Sequence, residues 1–403
     1  METSSIISKI KGCLLESIPA KDPRAKIQPL EFVTSLISSF SNKDGRVKSL
    51  SALRKSVMEM TGTKVSRGTF WERMATKRLR KLILLLLCEL MNEICVQMGV
   101  SRSILELLVV KGIYLIDSSS FTLPEGAAGE FPGPRNNVAP SALKVHMLFN
   151  LFGGIAKWFA ITPATTHDRK EFPSLEILKG ALVVFDLGYW DYQLLKDMIT
   201  TGVFFLSRVK SCASIEIVKA VSGVSRTCIG FDLHSGRMSS FRGEIIEIVG
   251  RFIIPKTKEA FESRIIGFWS LDDSQYHWYV TNLKVSSALM YPLYRLRWQL
   301  ELVWKSWKSF LHMDEITSSN KNIIISITLI GMCAGLIAEA ISITKMNGQP
   351  QEKQAAFSVQ RAASLFLRIG INLFNYICRT TRGAKKRIID TVELFKDELY
   401  DPN

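Results

Sequence analysis

The chain has 403 residues, of which 47% are hydrophobic, and this is enough for a large core and for more than one domain. Its 52 Lys and Arg residues outnumber 37 Asp and Glu residues and give a formal net charge of +15. A protein this basic commonly binds a polyanion, with nucleic acid the first candidate and an anionic membrane surface the second. Seven cysteines without a C-x-x-C pair argue against a disulfide framework or a zinc cluster and indicate a reducing compartment.

The N-terminal region is predicted to be a basic helical domain. Its first residues lack a long apolar core followed by a small-residue cleavage site, so no signal peptide is predicted. Apolar residues at helical spacing run from about residue 27 to 110, and "LILLLLCELM" predicts a core helix. Five cationic residues could contact phosphates or form only a solvated face: Arg67, Arg73, Lys77, Arg78 and Arg80.

The middle region has the order strand, hairpin, helix, strand, helix, strand. The segment Ile113–Asp117 predicts a short buried strand that ends in an acid, and a hairpin is predicted to turn at Gly153 and Gly154. "ALVVFD" predicts another buried strand, which ends at Asp186. Carboxylates at strand ends of an α/β sheet point into the crevice where ligands bind. The two aspartates are therefore candidate site residues.

A basic helix is predicted from Tyr294 to Lys308. At about 100° per residue, its polar groups form one stripe and its apolar groups the opposite face. The stripe consists of Tyr294, Arg297, Glu301, Lys305 and Lys308, and the apolar face of Leu296, Leu300, Val303, Trp307 and Phe310. An ordinary surface helix shows such a stripe as well, with its acid as a salt-bridge partner. The residue pattern alone leaves both interpretations open.

The C-terminal third is predicted to be helical and not membrane-spanning. The charge-free stretch from Ile323 to Ala338 is shorter than the roughly 20 residues that cross a bilayer, so it predicts a helix buried inside the protein. The segment 344–403 has helical periodicity and a cationic cluster, "RTTRGAKKR".

Three segments together resemble a known family. The pattern Y-x2-R-x3-E-x6-K from Tyr294 to Lys308 resembles, at every position, the signature of DDE transposases of bacterial insertion sequences, in the branch often called the IS-four family. "LIDSSSFTLP" around Asp117 and "VVFDLGYWDYQLLKDMITTGVFFLSRVK" around Asp186 extend the resemblance to about residues 27–345. The chain departs from the pattern at Leu187, where a basic or small residue is expected.

The resemblance implies an α/β fold with a ribonuclease H-like catalytic core at 111–345. Strand-like runs between the second and third acids imply a β-rich insertion at about 211–285. A helical DNA-binding domain at 1–110 and a helical C-terminal region at 346–403, which could mediate dimerisation, complete the expected organisation.

The implied activity is DNA strand cleavage and strand transfer. Asp117 on the first strand, Asp186 at the end of the fourth and Glu301 on a late helix would be both the catalytic residues and the metal ligands. In-line displacement at phosphorus is commonly assisted by two Mg²⁺ ions, which prefer oxygen ligands, and Mn²⁺ can be expected to substitute.

DNA contacts are expected on the helix that carries Glu301 and around it. Arg can hold a phosphate by a bidentate fork and Lys as a point charge. The candidates are Tyr294, Arg297, Lys308, Trp298, Arg208, Lys210, Lys144 and His146. His146 is interpreted as a structural or DNA-contacting residue, because Mg²⁺ disfavours imidazole. "TTHD" at 165–168 predicts a turn with a helix cap.

The resemblance implies terminal inverted repeats and target DNA as partners, a homodimer in the synaptic complex, no membrane, and a place in the bacterial cytoplasm at the nucleoid. Two alternatives remain open. One is a DNA-binding protein that has lost cleavage, against which the presence of Asp117, Asp186 and Glu301 argues. The other is a related metal-dependent nuclease without a joining step.

Overall fold

The computed structural model describes residues 2–19, 21–41, 49–93, 110–135, 138–151, 155–346, 359–379 and 381–399. Within these residues, helices occupy both ends of the chain and strands the middle. The helices are α1 Thr3–Ser17, α2 Pro29–Ser38, α3 Leu50–Thr61, α4 Arg67–Ala75, α5 Lys77–Glu93, α6 Tyr192–Thr201, α7 Met290–Arg295, α8 Trp298–Leu311, α9 Lys321–Met346, α10 Val359–Cys378 and α11 Ala384–Leu394. The strands are β1 Ile113–Thr122, β2 Pro132–Arg135, β3 Ala139–Asn150, β4 Ile155–Pro163, β5 Leu182–Phe185, β6 Phe204–Arg208, β7 Ile215–Ser222, β8 Ile246–Ile253, β9 Ala260–Ser270 and β10 Gln275–Thr281.

The strands form one mixed ten-stranded sheet. Its order is β2-β3-β1-β5-β6-β10-β9-β8-β7, and β4 also pairs with β3. β5 is parallel to β1 and to β6, whereas all the other strand pairs are antiparallel. The four strands from β7 to β10 lie in the segment predicted to be β-rich, and they extend the same sheet because β10 pairs with β6.

Alternate residues of the central strands enter two different cores. Leu115 of β1 and Val184 of β5 pack on one side with the helices from both ends of the chain. Ile116 and Val183 pack on the other side, against α6 and residues of the β-rich segment. This period of two follows from strand geometry, in which successive side chains point to opposite faces. The sheet is therefore the middle layer of three.

The first and last helices share one hydrophobic core. α1 packs on α5 and α9, and α10 packs on α2, α8 and α9. The described residues contain one helix long and apolar enough to cross a membrane, Lys321–Thr344, and 94% of its apolar window is buried inside the protein. The predicted buried helix is confirmed.

In the middle region, the end of the first strand differs from the prediction and the hairpin is confirmed. The strand predicted to end at Asp117 continues to Thr122, because β3 pairs with it as far as Thr122. The Gly- and Pro-rich segment after β1 contains the short strand β2. The antiparallel pairing of β3 with β4 confirms the hairpin, but Gly153 and Gly154 lie outside the described residues.

The single basic helix predicted from Tyr294 to Lys308 is two helices. α7 ends at Arg295 and α8 begins at Trp298. At the junction, Arg297 N–H donates to the carbonyl of Tyr294 and Leu300 N–H to that of Arg297, so the hydrogen bonds span three residues. This tighter winding rotates the start of the segment relative to α8.

Candidate active site

The strand register brings Asp117 and Asp186 to one edge of the sheet. The parallel pairing of β1 and β5 ends at Leu115 and Val184, and each aspartate lies two residues beyond its partner of that pair. By strand alternation both acids project on the same side as Leu115 and Val184, which is the side covered by α8. Both aspartates were predicted from the sequence to be site residues.

Burial and proximity shift the acidity of both aspartates. Asp117 is 8% exposed, and burial, reinforced by the charge of Asp186, raises its pKa to about 7. Burial also raises the pKa of Asp186, although the Gly188 N–H, which donates to Asp186 Oδ1 at 2.9 Å, and Arg297 oppose the rise. Two acids that disfavour each other's charge in a partly buried place are a common feature of functional sites.

Glu301 faces this pair from α8 and is held by Arg297. Arg297 Nη2 donates to Glu301 Oε1 at 2.6 Å, and Nη1 lies 3.9 Å from Asp117 Oδ1. The charge of Glu301 also contributes to the raised pKa of Asp117, so the two are close. Arg297 Nε is buried without a hydrogen-bond partner. The Arg297 guanidinium thus lies between Asp117 on β1 and Glu301 on α8.

The donor chemistry of this site fits a hard divalent cation. Asp117, Asp186 and Glu301 supply only carboxylate oxygens, and the pKa of each aspartate stays raised although Arg297 opposes the rise, so a bound cation would stabilise their charged forms. Among the described residues, no three His, Cys, Asp or Glu side chains converge closely enough to hold a metal ion. Glu301 is instead paired with Arg297, and about half of its side chain is exposed.

The other DNA-contact candidates on α7 and α8 have different surroundings. Tyr294 is buried against Tyr279, with ring centroids 5.0 Å apart, because the turn between α7 and α8 directs it toward the core. Lys308 Nζ lies 5.0 Å from the ring centroid of Phe121 on β1, and partial burial lowers the pKa of this lysine. Trp298 is 59% exposed at the start of α8.

Lys144 and His146 project from the opposite face of the sheet from Asp117. They pair with Ser120 and Ser118 of β1, not with the register position of Asp117. His146 is fully buried, with Nδ1 3.2 Å from Tyr189 Oη, and burial lowers its pKa to about 4, so the ring is neutral at pH 7. Both side chains are engaged within the chain on this face, which fits the structural alternative given for His146, and DNA contact by either residue stays a prediction.

Arg208 lies at the end of β6, beside the parallel pair that carries the acids. Its charge acts on the hydroxyls of Tyr279 and Tyr294, which places it near the α7–α8 turn. Lys210 follows after the strand and is partly exposed. Both remain suitable for phosphate contact.

Part of the N-terminal basic cluster makes contacts within the chain. Arg73 donates to the carbonyl of Ile27 at 2.9 Å and lies over the ring of Phe32, and Arg80 donates to Asn322 Oδ1 at 2.9 Å. Arg78 Nη1 is 3.5 Å from Asp22. These arginines are engaged within the chain, so the exposed Arg67 and Lys77 are the better candidates for phosphate contact.

Asp168 is a further acid at the site that the sequence had assigned to a turn. Its Oδ1 accepts hydrogen bonds from Lys144 Nζ at 2.8 Å and Ser118 Oγ at 3.0 Å. "TTHD" carries no periodicity that points to these partners. The only available signal was an acid directly after the hairpin, near a predicted strand end.

Two carboxylates lie where the parallel pairing of β1 and β5 ends, beside a helix that presents arginine and lysine, and this donor set suits chemistry at a phosphodiester. Comparison with known proteins assigns the class more closely. The family model described as "Transposase DDE domain" matches residues 110–333, which include Asp117, Asp186 and Glu301. The chain belongs to this family of transposase DDE domains.

Curated relatives of this chain are named as transposases of insertion sequences. The transposase for insertion sequence element IS1151 of Clostridium perfringens is 27% identical over 242 residues, which cover 51% of this chain and 51% of that protein. The transposase for IS231F of Bacillus thuringiensis subsp. israelensis is 23% identical over 264 residues, with 56% and 55% covered. The chain thus spans about half the length of the curated relatives that it matches.

One solved structure similar to this chain is the cryo-EM structure of a piggyBac transposase synaptic complex with hairpin DNA. The similarity has a TM-score of 0.43 at 10% identity, and it covers 99% of this chain and 83% of that chain.

Proposed function

We propose that this protein is a DDE transposase that cleaves DNA at the ends of its own insertion sequence and joins those ends to target DNA. The observation that carries the proposal is the meeting of Asp117 and Asp186 at one sheet edge, under the helix that bears Glu301, within the part of the chain that matches the family. The match of Y-x2-R-x3-E-x6-K supports a finer assignment to the IS-four branch.

The order of the central strands supports a ribonuclease H-like core. β4, β3, β1, β5 and β6 are neighbours in that order, with β3 antiparallel to β1 and β5 and β6 parallel to it. If the short β2 is set aside, Asp117 lies on the first strand and Asp186 follows the fourth. The proposed organisation keeps the catalytic domain at 111–345, with the helical segments 1–110 and 346–403 on either side.

Asp117, Asp186 and Glu301 would hold the divalent cations, Mg²⁺ or Mn²⁺. When bound, such ions supply activation of the attacking oxygen and stabilisation of the leaving oxygen at phosphorus. Glu301 Oε1 accepts a hydrogen bond from Arg297, so this carboxylate would hold a cation through its other oxygen or after release of Arg297. A guanidinium released from Glu301 would have donors for a DNA phosphate.

The remaining residues bind and orient the DNA. Arg297 and Lys308 lie at opposite ends of the Glu301 face and can hold phosphates on either side of the scissile bond. Exposed Trp298 can stack on an unpaired base. Arg208 and Lys210 extend the cationic surface along the sheet edge.

The partners proposed are the terminal inverted repeats of the element and its target DNA, with a homodimer holding two ends, in a bacterial cytoplasm at the nucleoid. α10 packs within the chain, yet Ile371 on it is 61% exposed and is available to a second copy. Measuring the mass of the protein with and without end DNA tests the dimer.

The function is tested by incubating the protein with a labelled fragment carrying the element's end. Nicking is expected with Mg²⁺ or Mn²⁺ and not with EDTA. Because much of the +15 charge should act on phosphates, log affinity should fall with log salt at roughly −0.9 per phosphate contact. A flat salt response would reject the nucleic-acid assignment. Cutting without joining would favour the nuclease alternative.

Arg297→Ala and Lys308→Ala are expected to weaken end binding or cleavage by about tenfold or more each, because a charge-assisted contact to phosphate contributes roughly 1.5–3 kcal/mol. Arg295→Ala is the matched control, since this exposed arginine lies on the other side of the turn. Gel shift and cleavage rates on the same fragment measure the effect. If both variants bind and cut like wild type, the stripe is only a solvated face.

A further inference from the structure

Asp168 lies between the residues that follow the two proposed catalytic aspartates. Its Oδ1 accepts a hydrogen bond from Ser118 Oγ at 3.0 Å, and Ser118 directly follows Asp117. Its Oδ2 packs against Gly188: a Cβ added there would be 2.7 Å from Asp168 Oδ2 and 3.1 Å from Asp186 Oδ1. One carboxylate therefore contacts the chain next to both acids.

Contacts from β3 and from Arg169 hold Asp168 in position. Lys144 Nζ donates to Asp168 Oδ1 at 2.8 Å and to the Thr166 carbonyl at 2.9 Å. Arg169 Nη1 is 2.6 Å from Asp191 Oδ2, which ties the turn after Asp168 to the residue that caps α6. Lys144 also compensates the negative charge, so Asp168 is a held group and not a free anionic ligand.

We propose that Asp168 is a positioning residue that sets the separation of Asp117 and Asp186 for cation binding. The proposal rests on the proposed function, since it assumes that these acids hold a divalent cation. Like charges at close range repel each other in the metal-free protein, so surrounding contacts must hold the two acids, against this repulsion, at the separation that a cation needs. Groups that orient metal ligands from behind typically affect metal affinity or activity by about 10–100-fold.

Two substitutions probe Asp168 directly. Asp168→Ala removes both contacts, whereas Asp168→Asn keeps an oxygen that can accept from Ser118 and Lys144. Glu176→Ala is the matched control, because it removes one carboxylate from an exposed turn nearby.

Gly188→Ala probes the same contact from the other side. The added methyl would crowd Asp168 Oδ2 and Asp186 Oδ1, while the backbone of Gly188 is outside the left-handed region and accepts alanine. In the double variant Asp168→Ala with Gly188→Ala, one of the crowded atoms is gone, so the two effects are expected not to add.

Two quantities are measured: the Mn²⁺ dissociation constant of the DNA-free protein, by calorimetry, and the Mn²⁺ concentration for half-maximal cleavage. Asp168→Ala is expected to raise both by about tenfold, with the gel shift on end DNA unchanged, and Asp168→Asn to raise them less. Glu176→Ala should match wild type. Gly188→Ala should also raise both.

Wild-type Mn²⁺ affinity and midpoint in folded Asp168→Ala would overturn the proposal, as would strictly additive effects in the double variant. If Asp168→Ala fails to fold, the same two Mn²⁺ measurements on Asp168→Asn and Gly188→Ala test the proposal. If wild type cuts normally and Asp168→Ala has the same Mn²⁺ dependence, only the proposed role of Asp168 is rejected. If wild type does not cut at all, the proposed function fails, and calorimetry still reports on the aspartate pair.

Discussion

Asp117→Asn, Asp186→Asn and Glu301→Gln are each expected to abolish metal-dependent nicking while leaving the fold and DNA-end binding in place. Each substitution removes an anionic oxygen ligand that a two-metal site needs. The cationic residues that would hold the DNA remain, so the gel shift should persist. A loss of at least about 10³-fold in the cleavage rate is expected, equivalent to roughly 4 kcal/mol of transition-state stabilisation.

Asp117→Asn should also affect folding, in the stabilising direction. The pKa of Asp117 is raised to about 7 from 3.8, so its charge is unfavourable in the metal-free fold. The folded state holds this proton between those values while the unfolded state loses it, so stability falls as pH rises through that window. Asp117→Asn should therefore be at least as stable as wild type at pH 8 without metal.

Cleavage and gel shift on one labelled fragment, with urea unfolding of each variant, measure both effects. Asp272→Asn, in an exposed turn of the β-rich segment, is the control for loss of one carboxylate. Glu301→Gln cutting at the wild-type rate would disprove the catalytic assignment and favour a binding protein without cleavage.

Glu339→Gln is expected to stabilise the protein strongly above pH 8 and hardly at all near pH 4. Glu339 is 3% exposed on α9, and Trp307 Nε1 on α8 donates to its Oε1 at 2.7 Å. Burial raises the pKa of Glu339 to about 8 from 4.5, so the folded state keeps a proton that the unfolded state has lost. The contribution of this group to stability is therefore present below pH 4.5 and is lost as pH rises to about 8.

The size of this loss is on the order of 5 kcal/mol, because each pKa unit corresponds to about 1.4 kcal/mol. A glutamine keeps an oxygen that can accept from Trp307 Nε1 but has no charge to bury. Urea unfolding at pH 5 and pH 9 measures the difference between wild type and variant, and Glu176→Gln serves as an exposed control. An equal pH dependence in wild type and Glu339→Gln would show that Glu339 is not titrating in this range.

Local patterns were sufficient for much of the site. The runs before Asp117 and Asp186 predicted buried strands, and β1 and β5 are indeed parallel neighbours. The apolar period of the helix predicted that Leu300, Val303 and Trp307 are buried, as they are. Such predictions succeed because side-chain direction in a strand or helix is set by a period of two or 3.6 residues, which short sequences contain.

The sequence by itself determined which acids and cations are present, their order, and the faces that they share on each element. Only the tertiary structure decided which of them meet. Lys144 and His146 were candidates for DNA contact, with a structural role as the alternative for His146, and the pairing of β3 with β1 turns both to the face away from Asp117. Asp168, in a turn without periodicity, reaches Ser118 and Gly188 only because the chain folds back there. Contacts of this kind join residues far apart in the chain, and no local period encodes them.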